Sequence, residues 1–165
     1  MIEPMPEQLI LSLPTETATQ RLGQAIAAHM DAGFKLYLQG DLGAGKSTLT
    51  RAILRALGVR GTLRSPSYAL LEPYEGVLPS GGTLHHFDFY RLDAQPLAWR
   101  DAGFADAFEP PHAAVVEWPQ YAQGLPSATL AIQLSINADS AARTAVCLID
   151  AAQAELIQAL RSLNA

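Results

Sequence analysis

The sequence GDLGAGKS, at residues 40–47, decides the predicted fold because it fits the phosphate-binding loop pattern G-x-x-x-x-G-K-[ST]. The mostly apolar residues 34–38 before it predict a short buried strand. Residues 48–57 after it place leucine and isoleucine side chains on one face of a helix, which Gly58 ends. Strand, glycine loop and helix in this order are the context in which such a loop is found. The stretch therefore predicts a P-loop NTPase-type domain.

The residue types in this stretch suit contact with a polyphosphate. Glycines let backbone N–H groups approach phosphate oxygens, and the opening of the helix adds its positive dipole end. Lys46 is expected to reach the β- and γ-phosphates of a nucleotide, and the Ser47 hydroxyl to bind Mg²⁺. Because Lys35 is the only other lysine, Lys46 does not read as a general surface charge. The alternative, a glycine-rich turn that binds nothing, is disfavoured because the flanking strand and helix are both predicted. The expected nucleotide contacts in this segment are Gly43, Ala44, Gly45, Lys46, Ser47 and Thr48.

Composition narrows the class of protein. The 165 residues are 49% hydrophobic and 16% charged, which suits an ordinary globular core, and we expect residues 1–165 to form a single domain. Pro4 and Pro6 lead us to expect that residues 1–7 are mobile. The net charge of −5 and the lack of a long basic run argue against an independent nucleic-acid surface.

Cysteine content and hydropathy argue against a disulfide-linked, a membrane-spanning or a secreted protein. A single cysteine, Cys147, permits neither an internal disulfide nor a cysteine metal cluster. No apolar stretch is long enough to span a bilayer. Glu3 and Glu7, with no basic leader, do not fit a signal peptide. We therefore expect a cytoplasmic protein with no membrane partner.

The pattern of apolar residues predicts an α/β fold with a mixed sheet. The strand pair 68–72 and 83–88 is close enough in sequence to form an antiparallel hairpin, and the apolar run 113–116 is typical of a central parallel strand. The predicted architecture is a P-loop NTPase-type three-layer sandwich, whose mixed, mainly parallel central sheet contains this inserted antiparallel hairpin. Further strands are expected at 8–13, 128–136 and 143–150, and helices from Thr15 or Thr17 to near Gly33, within 92–108, and at 151–163.

Two carboxylates follow predicted strands. Asp88 and Glu117 both qualify as the acidic residue that holds Mg²⁺, directly or through water, in a phosphate-loop enzyme. Ligands of open α/β sheets bind at the carboxyl ends of strands, so both could face the nucleotide. The alternative for Asp88 is a turn-forming aspartate or a surface partner of Arg91. The choice between direct and water-mediated contact stays open.

The residues next to these carboxylates include two histidines before Asp88 and a tryptophan after Glu117. A metal cluster around His85, His86 and Asp88 is disfavoured because adjacent residues of a strand face opposite ways. Trp118 is either a core anchor or a partly exposed surface for nucleotide or partner. We favour exposure near the nucleotide, because Glu117 and Pro119 place it beyond the buried run.

Four motifs, in this order and spacing, resemble the TsaE family. They are GDLGAGKS at 40–47, Ser-Pro-Ser-Tyr at 65–68, His-x-Asp-x-Tyr-Arg at 86–91 and Glu-Trp-Pro at 117–119. The last three are not shared by phosphate-loop proteins in general, and the agreement runs from about residue 13 to about residue 150.

The resemblance implies a function that spacing alone does not. TsaE proteins are bacterial ATPases needed to make threonylcarbamoyladenosine in tRNA, on the adenosine beside the anticodon. They act with the TsaB–TsaD pair and hydrolyse ATP to keep it cycling, so tRNA would be met only through that complex. The implied cofactors are ATP and Mg²⁺, and the implied enzyme is a Mg²⁺-dependent ATPase that is weak alone.

The resemblance also implies roles for single residues. The implied catalytic residues are Lys46, Asp88 and Glu117, and the implied metal ligands are Ser47, Glu117 and Asp88. Serine stands at 47 where threonine is usual in the family, which keeps the oxygen. Outside the loop, the implied nucleotide contacts are Thr15, Glu16, Thr17, Trp118 and, as a weaker match, Arg143, although helix capping alone also explains the first three.

Other function classes remain open. A GTPase would carry an Asn/Thr-Lys-x-Asp signature, and neither lysine of the chain sits in one. A small-molecule P-loop kinase would need clustered arginines in a lid over the phosphates, whereas the arginines here are scattered. A nucleotide-dependent binding module is the remaining alternative.

Overall fold

A computed structural model describes residues 5–63, 66 and 70–164. The strands are β1 (Glu7–Leu13), β2 (Lys35–Gln39), β3 (Leu71–Tyr74), β4 (Leu84–Asp88), β5 (Ala113–Glu117), β6 (Leu130–Ile136) and β7 (Arg143–Ile149). The α-helices are α1 (Glu16–Ala27), α2 (Lys46–Ala56), α3 (Ala98–Asp101) and α4 (Ala154–Ser162), and short 3₁₀ turns occupy Tyr90–Leu92, Phe104–Phe108 and Pro119–Tyr121. Within the described part of the chain, no helix has the length and apolarity needed to cross a membrane.

The strands form one seven-stranded mixed sheet in the order β1-β7-β6-β2-β5-β4-β3. The pairings of β2 with β5, β2 with β6 and β4 with β5 are parallel and lie in the centre. Antiparallel pairs flank this centre, with β3–β4 on one side and β6–β7–β1 on the other. The α/β class and the antiparallel hairpin are therefore confirmed, and the parallel character is confined to the middle of the sheet.

Each face of the sheet has its own hydrophobic cluster. On one face, α1, α2 and α4 bury side chains such as Leu22, Ile53 and Leu160 against inward residues of the strands. On the other face, Phe87 and Val116 pack under the short helices that carry Trp99 and Phe108. Alternate residues of each strand serve alternate faces. Every second side chain of β4 and β5 therefore lies on the face of the sheet that is covered by α2.

Helix α1 holds α2 in place through a close backbone approach. A Cβ built on Gly23 of α1 would lie only 2.6 Å from the Cβ of Ala52 of α2, so no larger residue fits without a shift. Thr15 is the N-cap of α1, and its hydroxyl accepts a hydrogen bond from the N–H of Ala18 at 3.2 Å. The helix ends at Ala27 rather than near Gly33, because its last turn tightens to bonds such as His29 N–H to the carbonyl of Ile26 at 3.0 Å.

Several predicted bounds need correction or fall outside the described residues. Strand β3 begins at Leu71 and continues through Pro73, which an edge strand tolerates because its missing N–H faces away from the ladder. The first part of the predicted strand 68–72, and Ser65, Ser67 and Tyr68 of the second motif, lie outside the described residues, as do residues 1–4. Glu7 already belongs to β1 and pairs with Ile149.

Candidate functional site

The glycine loop joins β2 to α2 at the carboxyl end of the parallel strands. Strand β2 ends at Gln39 and helix α2 begins at Lys46, where the sequence predicts the helix to open. Gly45 is the N-cap residue of α2 and has a left-handed φ of 109°, which favours glycine. The loop thus has the strand-to-helix geometry that exposes backbone N–H groups at a helix N-terminus.

Arg143, the first residue of β7, holds the loop backbone from outside. Its Nε donates to the carbonyl of Ala44 at 3.0 Å and its Nη2 to the carbonyl of Gly43 at 3.1 Å. The C=O and N–H of one planar trans peptide point in opposite directions. Fixing the Ala44 carbonyl therefore aims the N–H of Gly45 to the opposite side of the loop.

Replacing Arg143 with methionine is expected to weaken nucleotide binding about tenfold, because two charge-assisted hydrogen bonds to the loop are lost. Titration calorimetry with ATP measures the dissociation constant. Arg100→Met is the matched control, since Arg100 donates to a backbone carbonyl of a different loop, that of Gly124, at 3.3 Å. Equal affinity for ATP in the two variants would contradict a role for Arg143 at the loop.

Lys46 lies at the centre of the candidate site, at the start of α2. Its side chain is buried, its Nζ donates to the carbonyl of Gly40, and the same atom lies 3.6 Å from the ring centroid of Trp118. Burial lowers the pKa of this ammonium group, and the nearby carboxylates of Glu117, Asp88 and Asp41 oppose that shift. An ammonium group among carboxylates at a glycine loop can neutralise part of the charge of a bound phosphate.

The two predicted carboxylates stand side by side. Asp88 ends β4, Glu117 ends β5, and they are register partners across this parallel pair, so their side chains leave the same face of the sheet. Burial raises the pKa of the Asp88 carboxyl, the Tyr90 N–H that donates to Oδ1 at 3.0 Å lowers it, and the Glu117 carboxylate raises it further. A pair of carboxylates at a strand end is a donor set that suits Mg²⁺.

Glu117 is almost fully buried, with 4% of its surface exposed. Its Oε2 lies 2.9 Å from Nε2 of His86, which is 3% exposed. His85 faces the other way and packs edge-on against the ring of His112, with a centroid separation of 5.1 Å. Within the described ranges, no group of three or more His, Cys, Asp and Glu side chains is arranged to hold a metal ion.

Trp118 is half-buried, so it is partly exposed and not a fully buried core anchor, although it packs against the cluster that contains Val116. Its backbone is left-handed, with φ 58°, which is rare for a bulky side chain and is a form of strain that functional sites retain. The indole stacks on Tyr121 at a centroid distance of 5.4 Å and meets Tyr90 edge-on at 5.0 Å. Neither tyrosine is among the predicted site residues; Tyr90 lies in the His-x-Asp-x-Tyr-Arg motif, whereas no sequence pattern marks Tyr121.

The other predicted nucleotide contacts lie at α1 and α2. Glu16 and Thr48 line one polar groove of about 320 Å³ between these helices, together with Arg51. The Thr15 hydroxyl is engaged in capping α1, and Thr17 is exposed. Ser47 is exposed in the first turn of α2, one residue after Lys46. A separate cavity of about 230 Å³ opens beside the loop and is lined by Leu42, Pro66, Leu70, Asp88, Tyr90, Arg91 and Trp118.

Comparison with known proteins identifies a family for this chain. Residues 13–145 match the family model described as "Threonylcarbamoyl adenosine biosynthesis protein TsaE". Two proteins named "tRNA threonylcarbamoyladenosine biosynthesis protein TsaE" are similar to the chain. The one from Haemophilus influenzae is 36% identical over 140 residues, covering 81% of this chain and 86% of its own. The one from Synechocystis is 37% identical over 123 residues, covering 70% and 73%.

A solved structure shares the fold. The crystal structure of YdiB from Bacillus subtilis superposes with a TM-score of 0.72 at 24% sequence identity, covering 97% of this chain and 96% of that one. The family match spans the glycine loop, both strand-end carboxylates, Trp118 and Arg143. On the strength of that match and of its relatives, the chain belongs to the TsaE family.

Proposed function

We propose that this protein binds ATP with Mg²⁺ at the glycine loop and hydrolyses it in support of threonylcarbamoyladenosine formation in tRNA. The observation that carries the proposal is the placement of Lys46 at the loop, facing the paired carboxylates Asp88 and Glu117 at the ends of adjacent parallel strands. The tRNA pathway comes from the family and from the names of its relatives.

The loop residues would bind the phosphates. The backbone N–H groups at the start of α2 provide an anion site, and Arg143 keeps their peptides oriented by holding the carbonyls of Gly43 and Ala44. Lys46, which now donates to the Gly40 carbonyl, would turn its ammonium group to the β- and γ-phosphates. Trp118 covers this ammonium group on one side and limits its contact with water.

The residues present fit a magnesium ion. Ser47, Asp88 and Glu117 offer only oxygen donors, as Mg²⁺ prefers, and the raised pKa of Asp88, caused first by its burial, marks a carboxylate that a cation would stabilise. When bound, Mg²⁺ would neutralise charge on the phosphates. Glu117 would either bind the ion or orient its water. These three side chains with Lys46 make the proposed reaction centre.

The partners are proposed from the family resemblance. TsaE proteins act with the TsaB–TsaD pair, so we propose that this protein joins that pair and meets tRNA only through it. A negatively charged chain without a long basic run agrees with indirect contact to tRNA. Modification of tRNA in bacteria takes place in the cytoplasm, which is the compartment we propose.

A reconstitution experiment tests the proposal. We expect the purified protein to bind the TsaB–TsaD pair in a pull-down that depends on ATP, and to release inorganic phosphate from ATP faster with the pair than alone. Calorimetry with ATP and GTP should show a preference for ATP. Nucleotide binding without phosphate release, even with the pair present, would indicate a binding module instead. Formation of ADP with transfer of phosphate to a small molecule would indicate a kinase.

A further inference from the structure

The proposed function gives no role to the buried imidazole of His86. This side chain is 3% exposed, and its Nε2 lies 2.9 Å from Oε2 of Glu117, itself 4% exposed. Buried carboxylates are costly unless they are hydrogen-bonded. The contact therefore decides how the Glu117 carboxylate is held.

Strand register places His86 beneath the carboxylate. His86 is the register partner of Val115, and Asp88 is the register partner of Glu117, so His86 and Glu117 are diagonal neighbours on the same face of the β4–β5 pair. His86 lies on the interior side of this diagonal, while the loop and Lys46 lie beyond the strand ends. The imidazole thus reaches the carboxylate from within the core.

The hydrogen-bond pattern fixes the direction of the contact. Among the described residues, Nδ1 of His86 has no hydrogen-bond partner. An ionised carboxylate only accepts hydrogen bonds, so the ring nitrogen that faces it must carry the proton. Nε2 is the donor whether the ring is neutral or charged. His86 therefore acts as a fixed donor toward Oε2 of Glu117.

We propose that His86 is a positioning residue, which holds one oxygen of Glu117 through Nε2 and so presents the other to the metal proposed at the loop. The proposal rests on the proposed function for its metal. Residues that hydrogen-bond metal-binding carboxylates from behind orient them, and their loss lowers metal affinity about 10- to 100-fold. A role limited to core packing would change stability and leave metal affinity as it is.

The test compares His86→Leu, His86→Gln and a control, His85→Leu. Titration calorimetry measures the affinity of each variant for ADP twice, once with Mg²⁺ present and once with a chelator that removes it. His86→Leu is expected to reduce the gain in affinity that Mg²⁺ gives by about 10- to 100-fold, with little change in the metal-free affinity. His86→Gln should recover most of that gain, because its amide N–H₂ can donate from near the position of Nε2. The neighbour His85 packs on the opposite side, against His112, so its variant should keep the wild-type gain.

Two results would overturn the proposal. One is a wild-type Mg²⁺ effect in His86→Leu, even with a lower melting temperature. The other is an equal loss of the Mg²⁺ effect in His86→Leu and His86→Gln. Because glutamine restores an N–H donor, such a result would show that the missing hydrogen bond to Glu117 is not the cause.

A measurement on the wild-type protein without ligand keeps the proposal testable if the leucine variant does not fold. Nitrogen-15 NMR of the histidine rings should show Nε2 of His86 protonated, and its signal should shift in Glu117→Gln but not in Glu109→Gln. A neutral ring protonated on Nδ1 would reject the proposal. If wild-type protein binds ADP with no Mg²⁺ effect while this NMR result holds, the proposed metal fails and the His86–Glu117 contact stands.

Discussion

Replacing Lys46 with alanine is expected to lower ATP turnover with the TsaB–TsaD pair by about two to three orders of magnitude. The ammonium group lies at the loop beside the Gly40 carbonyl and the Trp118 ring, and the variant leaves no other lysine near the phosphates. Phosphoryl transfer depends on charge stabilisation by such groups. Steady-state release of phosphate measures the loss.

Lys35→Ala is the matched control for this variant. It removes the same charge at the opposite end of β2, where the Lys35 ammonium group donates to the Gly33 carbonyl at 2.9 Å. Circular dichroism should show that both variants fold, and Lys35→Ala should keep wild-type turnover. Full activity of Lys46→Ala in the complex would refute the assignment of residues 40–47 as the phosphate-binding loop.

Exchange of Glu117 for glutamine is expected to reduce ATP turnover about a hundredfold or more while the melting temperature stays nearly constant. The amide oxygen of glutamine can still accept the hydrogen bond from Nε2 of His86, so the core keeps its contact. The negative charge that would hold Mg²⁺ or orient its water is lost. Turnover at saturating ATP across a range of Mg²⁺ concentrations measures the effect.

Glu109→Gln controls for removal of an exposed carboxylate elsewhere. If Glu117→Gln turned over ATP at the wild-type rate with the wild-type Mg²⁺ dependence, Glu117 would be no more than the partner of His86. A large drop in melting temperature would instead show that the charge itself supports the fold.

Patterns of neighbouring residues in the sequence were enough to predict the central strands and the carboxylates at the strand ends. The buried runs that became β2 and β5 read as continuous apolar strands because both faces of a central parallel strand are covered. Asp88 and Glu117 could be picked out because each stands at the carboxyl end of a predicted strand, although only the strand before Glu117 is a continuous apolar run. The structure places both at one edge of the sheet, as that reasoning expects.

The remaining features depend on contacts between distant segments. The alternation along β4 shows that His85 and His86 face opposite ways, but only the register with β5 brings His86 rather than His85 to Glu117. The left-handed backbone of Trp118 has no signature in residue type, since bulky residues disfavour it. The sheet order also escaped prediction, because β6 lies between β2 and β7 although β2 precedes it by almost a hundred residues.

The pairing of β1 with β7 has a consequence for how the protein is made on the ribosome. Leu13 of β1 pairs with Arg143 of β7, so the first strand emerges about 130 residues before its partner, which is roughly ten seconds of synthesis at ordinary rates. Strand β7 also carries Arg143, whose guanidinium group donates hydrogen bonds to the carbonyls of Gly43 and Ala44. A nascent chain that already contains the complete glycine loop therefore still lacks the Arg143 side chain that holds it, so the proposed nucleotide site is complete only after β7 has been made.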